Sequence, residues 1–312
     1  MIVTVTANTT LDLTLFVPNF EFGKTIRATE SLYSMGGKPT DASWILGTLG
    51  IPSLALGFAA GASGQKVEAM LRSRGVTTDF IQVNGETRTC VNVVVADIQQ
   101  QMTITTTMME VLPEHIVALR EKYIAILDQG TVNVVTLGGT LPRGMQPDFY
   151  IDFIRLARER NIPVIFDAAE PNLSTGLQAQ PNYIKPNQDE LSGFVGRQVK
   201  TLEDSYQAGR EILKRYNTVP VISLGGDGGL VVLSDKAYFI PPLPIQVVSA
   251  TGAGDAILAG LTASIERGQP IEDGIRLGFA AAAAVCLMQG TAECRPEDVE
   301  RLLPQVELIP YP

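Results

Sequence analysis

Leu11, Leu13, Leu15 and Val17 alternate with Asp12, Thr14 and Phe16, the period-two pattern of a half-buried strand. Met1–Thr6 reads as an earlier strand, and Thr89–Ala96 and Met102–Thr107 as two later ones joined by a polar turn at Asp97–Gln101. Helical stretches at Thr40–Leu49 and Gln65–Arg74 lie between these β segments. The pattern predicts a small β-sheet built from two excursions, about 11–34 and 86–107, projecting from a larger body. From about residue 132 short β-branched runs alternate with amphipathic helices. Strands are predicted at Val132–Leu137, Val164–Asp167, Tyr183–Lys185 and Val221–Leu224. Helices are predicted at Asp148–Arg160, Gln188–Val195, Thr201–Tyr216, Asp255–Arg267, Ile271–Met288 and Pro296–Leu303. Such alternation predicts an α/β fold, a mostly parallel sheet with helices on both faces.

The 312 residues, 45% of them hydrophobic, suffice for a substantial core in one large α/β domain or two smaller ones. A formal net charge of −9 argues against nucleic acid and anionic membranes as partners. A phosphorylated ligand must then be held by local donors. Cys90, Cys286 and Cys294 lack metal-type spacing and their odd number suits a reducing compartment. His115, the only histidine, excludes a His-rich zinc site and reads as an ordinary residue of helix Pro113–Leu127. The apolar run Phe279–Met288 is too short to span a bilayer, and the first residues have no basic region typical of a signal peptide. A cytoplasmic protein is expected.

The most informative chemistry lies in Ser249-Ala250-Thr251-Gly252-Ala253-Gly254-Asp255, which runs straight into a helical pattern. Glycines that expose successive N–H groups at a helix N-terminus make an anion site. A carboxylate beside a bound anion suggests proton removal from a hydroxyl that attacks a phosphoryl group. The same residues also describe a plain tight turn. Gly36-Gly37-Lys38 precedes a helix and is either a turn with a solvated lysine or a phosphate contact. Asn187 and Glu190, after Lys185, form a capping-box pattern and also suit nucleotide phosphates and hydrated magnesium. Ser223-Leu224-Gly225-Gly226-Asp227-Gly228 is either a hairpin turn or a close backbone approach to a nucleotide. Asp12 and Arg88 on neighbouring β segments are ordinary strand charges, or a carboxylate for sugar hydroxyls and a guanidinium for phosphate.

Together these boxes, in this order and approximate spacing, resemble the PfkB (ribokinase-like) carbohydrate kinase family over essentially the whole chain. Val3-Thr4-Val5-Thr6-Ala7-Asn8, Gly85-Glu86-Thr87-Arg88-Thr89-Cys90 and Gly139-Thr140-Leu141-Pro142 carry a further resemblance to its 1-phosphofructokinase and tagatose-6-phosphate kinase branch. The resemblance implies a ribokinase-like three-layer α/β/α sandwich, a single kinase domain over 1–312 with a small β-sheet lid. It implies ATP and Mg²⁺, Asp255 as base, and Gly252, Ala253 and Gly254 as backbone donors to the transferring phosphoryl group. Lys185, Asn187, Ser223, Gly225, Gly226, Gly228 and Thr251 would face the nucleotide, with Glu190 reaching magnesium through water. Asp12, Gly36, Gly37, Lys38 and Asp41 would face the sugar and Arg88 its existing phosphate. A homodimer through the lid is implied by analogy.

The implied reaction is ATP-dependent phosphorylation of a sugar phosphate, best fructose 1-phosphate at its 6-hydroxyl. Tagatose 6-phosphate, or an unphosphorylated sugar or nucleoside, stands as the alternative acceptor. A catalytically silent sugar- or nucleotide-binding protein is the rival from another class. The chain departs from the family's usual G-G-K-G-x-N in reading Gly36-Gly37-Lys38-Pro39-Thr40-Asp41. Pro39 removes a backbone donor, and a carboxylate at Asp41 would accept from sugar hydroxyls but repel phosphate. Met102–Thr107 also lacks the Lys-Gly-Pro of tagatose-6-phosphate kinases, one cation fewer at the phosphate end.

Overall fold

The computed structural model describes residues 1–95, 100–106 and 109–312, with the side chains of 100 and 101 left aside. Ala96, most of the expected Asp97–Gln101 turn and Thr107 therefore lie outside the described residues or carry no side-chain description. The body is a three-layer α/β/α sandwich. Its central sheet runs, in spatial order, Ser53–Ala59, Ile2–Thr6, Val134–Gly138, Val164–Asp167, Tyr183–Ile184 and Val219–Ser223, all parallel. Gly229–Val232, Ala237–Ile240 and Ile309–Tyr311 extend it antiparallel. The predicted strands and helices recur within a few residues of their expected ends, the helix of the opening motif beginning at Ala253 and ending at Glu266.

Successive residues of the strands feed two cores. Val3, Val5, Leu137, Phe166 and Ile222 pack with helices Pro113–Leu127, Asp148–Arg158 and Leu202–Tyr216 on one face. Ile2, Val134, Ile165 and Val221 pack with Lys38–Thr48, Ala253–Glu266 and Ile271–Cys286 on the other. Strands buried on both faces read as continuous apolar runs, as parallel sheets require. Hydroxyls interrupt the second core: Thr40 Oγ1 donates to Thr6 Oγ1 at 2.7 Å, and Thr4 pairs with Ser43 and Thr136 with Thr262 at 2.8 and 2.7 Å. Each buried hydroxyl thus finds a partner, and the pairs set the height of two helices whose N-termini carry the candidate chemistry.

Glu30–Gly36, Thr10–Val17, Arg88–Val95 and Gln100–Thr105 form the separate four-stranded lid. Along its middle the lid departs from the usual sense of amphipathic patterning, although Leu11, Met35, Val17, Val93 and Val95 are buried. Asp12 and Thr14, expected on the polar side of a half-buried strand, are buried, at 6% and 4% exposure. Their register partners Ser34, Cys90 and Asn92 share that face, which closes over the end of the sheet. The opposite face carries Leu13, Tyr33, Val91, Met102 and Ile104, of which Tyr33, Met102 and Ile104 are exposed. Among the described residues no helix is long and apolar enough to cross a membrane.

Candidate active site

The carboxyl ends of the parallel strands converge under the lid, the crevice where open α/β sheets bind ligands. Gly252 caps the helix Ala253–Glu266 at φ +86°, and a side chain there would collide with the backbone of Ala292. Only glycine meets both demands. The N–H of Ala253 is spent on the Ala250 carbonyl at 3.2 Å and that of Asp255 on Gly252 at 3.1 Å. The Gly252 and Gly254 amides have no backbone acceptor among the described residues. The expected trio of anion donors therefore reduces to these two, with Ala253 closing the turn instead. Gly254 serves a second purpose. A Cβ there would lie 3.1 Å from Lys185 Nζ, so the missing side chain admits the ammonium beside the helix start.

Lys185 follows strand Tyr183–Ile184, is buried at 4% exposure, and lies 3.3 Å from Asp167 Oδ2. Asp167 ends strand Val164–Asp167 and was not anticipated, although a carboxylate closing a buried apolar run was a signal available in the sequence. Its Oδ1 accepts from Lys38 Nζ at 2.8 Å, and Lys38 also donates to Glu190 Oε1 at 2.7 Å. Lys38 thus departs from the expected role against the sugar's phosphate, because two carboxylates claim its ammonium. Burial alone would depress its pKa, but Asp167, Glu190 and Asp255 more than reverse this and hold it charged. Glu190 Oε2 accepts from the Asn187 N–H at 2.9 Å, while Asn187 Oδ1 accepts from the Glu190 N–H at 2.8 Å. The capping box and the network around the strand ends are therefore one structure.

Asp41 corrects a second expectation. It is 3% exposed, its Oδ1 has no hydrogen-bond partner, and its carboxyl lies against that of Asp255. Burial, then the Asp255 and Asp12 charges, push its pKa far up, which favours its protonated form beside Asp255. In that form it can donate, as the family's amide does, and brings no charge to repel phosphate. Pro39 occupies the first turn of Lys38–Thr48, where an N–H would have no helical acceptor, so the helix itself loses nothing and the donor removed is one a ligand could have used. Burial and the Asp167 charge raise the pKa of Asp255 to about 7, against the opposing pull of Lys38 and Lys185. A carboxylate so poised is matched to proton removal near neutrality.

On the lid side, Asp12 Oδ2 accepts from Thr291 Oγ1 at 2.6 Å and from Asn92 Nδ2 at 3.4 Å. Its other oxygen occupies the space a side chain on Gly36 would need. Burial raises the pKa of Asp12 against these hydrogen bonds and the charge of Arg88. Gly37, at φ +101°, caps the helix that carries Lys38 and Asp41. Arg88 Nε donates to Thr10 Oγ1 at 2.6 Å, and its side chain lines a cavity of about 650 Å³ with Asn8, Glu110 and Arg143. Ser223 pairs with Asn187 across the sheet end, and Gly225–Asp227 form a short turn into strand Gly229–Val232. Gly225 and Gly226 lie open at the surface, Gly228 is packed beneath Ile240, and Thr251 accepts from the Ala292 N–H at 3.1 Å. The hairpin-turn description of this glycine-rich segment holds, with an open backbone surface beside the strand ends. Thr291 and Asn92 escaped sequence reasoning because isolated polar residues far apart in the chain carry no local pattern, while Asn8 stood in the Val3–Asn8 box without an assigned role.

Comparison with known proteins gives a consistent picture. The pfkB family carbohydrate kinase profile matches residues 2–298. A 1-phosphofructokinase of Bacillus subtilis is 28% identical over 310 residues, covering 99% of each chain. A tagatose-6-phosphate kinase of Staphylococcus epidermidis is 26% identical, again with 99% of each covered. The crystal structure of phosphofructokinase-2 from Escherichia coli in complex with substrates and products superposes with a TM-score of 0.90 at 26% identity. That match covers 98% of this chain and 99% of the other.

Proposed function

The chain belongs to the pfkB family of carbohydrate kinases, and we propose that it phosphorylates a sugar phosphate, fructose 1-phosphate at its 6-hydroxyl. The protein is a phosphotransferase with an alcohol acceptor, on a ribokinase-like fold, and uses ATP with Mg²⁺. The observation that carries the acceptor is Arg88, which lines a cavity with Arg143 and stands near enough to Asp12 for its charge to act there, an anchor for a phosphate already on the sugar. The 1-phosphofructokinase relative supports fructose 1-phosphate, and the tagatose-6-phosphate kinase relative keeps tagatose 6-phosphate as second choice.

Asp255 takes the proton of the acceptor hydroxyl as that oxygen bonds to the γ-phosphorus and the bond from phosphorus to the bridging oxygen breaks, releasing ADP. The amides of Gly252 and Gly254 and the ammonium of Lys185 meet charge developing on the phosphoryl oxygens. Asp12 accepts hydrogen bonds from sugar hydroxyls, Gly36 admits the Asp12 carboxylate, Gly37 turns the chain beside it, and Asp41 orients the Asp255 carboxyl. Asn187, Ser223, Thr251 and the open backbone at Gly225 and Gly226, with Gly228 packed behind them, line the nucleotide side. The residues suit magnesium held mainly by nucleotide phosphates and water. Asp167 Oδ2 is buried with the Lys185 ammonium 3.3 Å away, Glu190 stands nearby through Lys38, and among the described residues no group of three acidic, His or Cys side chains is arranged to hold a metal ion. When bound, the ion neutralises phosphate charge. Closure of the lid excludes water, which would otherwise compete as acceptor.

The whole chain works as one kinase unit, lid included, and the free thiols Cys90, Cys286 and Cys294 suit the cytoplasm. The outward apolar row Tyr33, Met102 and Ile104 supports a homodimer through the lid. An ADP-release panel of fructose 1-phosphate, tagatose 6-phosphate, fructose 6-phosphate, fructose, ribose and adenosine tests the acceptor. Highest kcat/KM with fructose 1-phosphate is expected; activity confined to unphosphorylated acceptors would overturn the proposal.

A further inference from the structure

We infer that Arg143 is a specificity-determining residue that closes, with Arg88, a two-arginine clamp on the phosphate the acceptor already carries. This rests on the sugar-phosphate acceptor proposed above. Both arginines line the same cavity of about 650 Å³, and among the described residues neither takes part in an ion pair. Arginines left without carboxylate partners at a cavity wall are available to an anionic ligand. The planar fork of each matches phosphate oxygens pairwise.

The backbone holds Arg143 in place. It follows the strand end Val134–Gly138, bridges Glu110 in the segment that leaves the lid, and is succeeded by Gly144 at φ +93°, which turns the chain away. Asn8, on the same wall, donates to Thr140 Oγ1 at 3.1 Å and ties this loop to the first strand. Arg88 comes from the other side of the cavity, opposite Thr10 in the lid register, while Asp12 stands opposite Cys90. Asp12 is therefore two positions along the same lid face, about 7 Å away on extended backbone, which is the scale of a sugar ring. Hydroxyl recognition at Asp12 and phosphate recognition at the arginines are thus separated by one acceptor's length.

Charge accounts for the need of a second cation. Lys38, the other basic side chain expected here, is engaged by Asp167 and Glu190, and the described lid strand Gln100–Thr105 contains no lysine or arginine. Glu110 also lines the cavity and opposes one positive charge. Arg88 alone would leave a phosphate dianion facing a wall with no net positive charge; Arg143 restores the excess.

The test compares wild type with Arg143→Ala and Arg143→Lys by steady-state kinetics with fructose 1-phosphate and ATP varied separately. Loss of a charge-assisted phosphate contact should raise KM for the sugar phosphate roughly 10- to 100-fold. The kcat, the KM for ATP and the melting temperature should stay close to wild type, and Arg143→Lys should fall between. An Arg143→Ala protein whose sugar-phosphate KM stays within about twofold of wild type overturns the clamp. So does a variant whose kcat and ATP KM deteriorate as much as its sugar-phosphate KM. Wild type that accepts only unphosphorylated sugars overturns the acceptor assignment itself, and is recognised before any variant is made.

Discussion

Asp255 is asked to be a base in a place that disfavours its charge. Its pKa of about 7 comes first from burial, and Lys38 and Lys185 keep it from rising further. A base works only when deprotonated, so turnover should climb with pH through about 7 and fall about tenfold per unit on the acid side. Asp255→Asn should lower kcat roughly 10²–10⁴-fold. The linkage has a second sign to check. A carboxyl whose folded pKa lies above its unfolded value of 3.8 favours folding most below that value and loses this as pH rises through about 7. Above neutrality the Asn variant should therefore melt higher than wild type, which thermal denaturation at pH 6 and pH 8.5 would reveal. Asp41→Asn should preserve turnover, because it keeps a neutral donor against Asp255, while Asp41→Leu should cost on the order of tenfold or more in kcat. Equal losses in both variants would refute the neutral-acid role of Asp41.

The element that carries the base is held by contact of backbone on backbone. Helix Ala253–Glu266 crosses Ile271–Cys286 where Gly260 meets Gly278 and Gly274 meets Ser264, with no room for a Cβ on these glycines. The Ala-rich run of the second helix, too short for a membrane, supplies the small side chains this approach requires; Ala280, Ala281, Ala282 and Ala284 are all buried. Gly278→Val would press on the backbone of Ile257, in the same helix as Asp255. Overpacking of this kind should destabilise by roughly 1–3 kcal/mol. The helix start should shift with it, so kcat should fall beyond what the lost folded fraction explains. Chemical denaturation together with turnover per folded molecule would check both. Intact turnover in a destabilised variant would show that the helix start is positioned independently.

For the whole molecule, the middle of the lid departs from the ordinary rule that apolar faces turn inward. Its polar face closes over Asp12 and Asn92, and its apolar face leaves Tyr33, Met102 and Ile104 exposed. A second copy is the occupant proposed for that face. Light scattering at micromolar concentration should give twice the chain mass, and Ile104→Lys should give monomer with a raised sugar-phosphate KM, since a loosened lid no longer seals the cavity. A monomeric wild type would exclude lid pairing. The alternation of Leu11, Leu13, Leu15 and Val17 with polar residues was legible as a strand, but not which face met the ligand, because period two is the same whichever side is buried.

Local chemistry accounts for what the sequence by itself determined. Strand and helix periods, the glycine-rich helix start before Asp255, the capping box at Asn187 and Glu190, and the order of the boxes all follow from neighbours in the chain. Most roles beyond that depended on partners distant in sequence. Lys38 became a partner of Asp167 and Glu190, residues 129 and 152 positions away, rather than a phosphate contact. The pKa of Asp41 rises because folding buries it against Asp255, and Thr291 reached Asp12 from 279 positions away. Arg143 acquired its place beside Arg88 only when a sheet end and the lid closed on one cavity. Charge state and direction of a side chain depend on desolvation and on nearby charges, and tertiary structure alone supplies both.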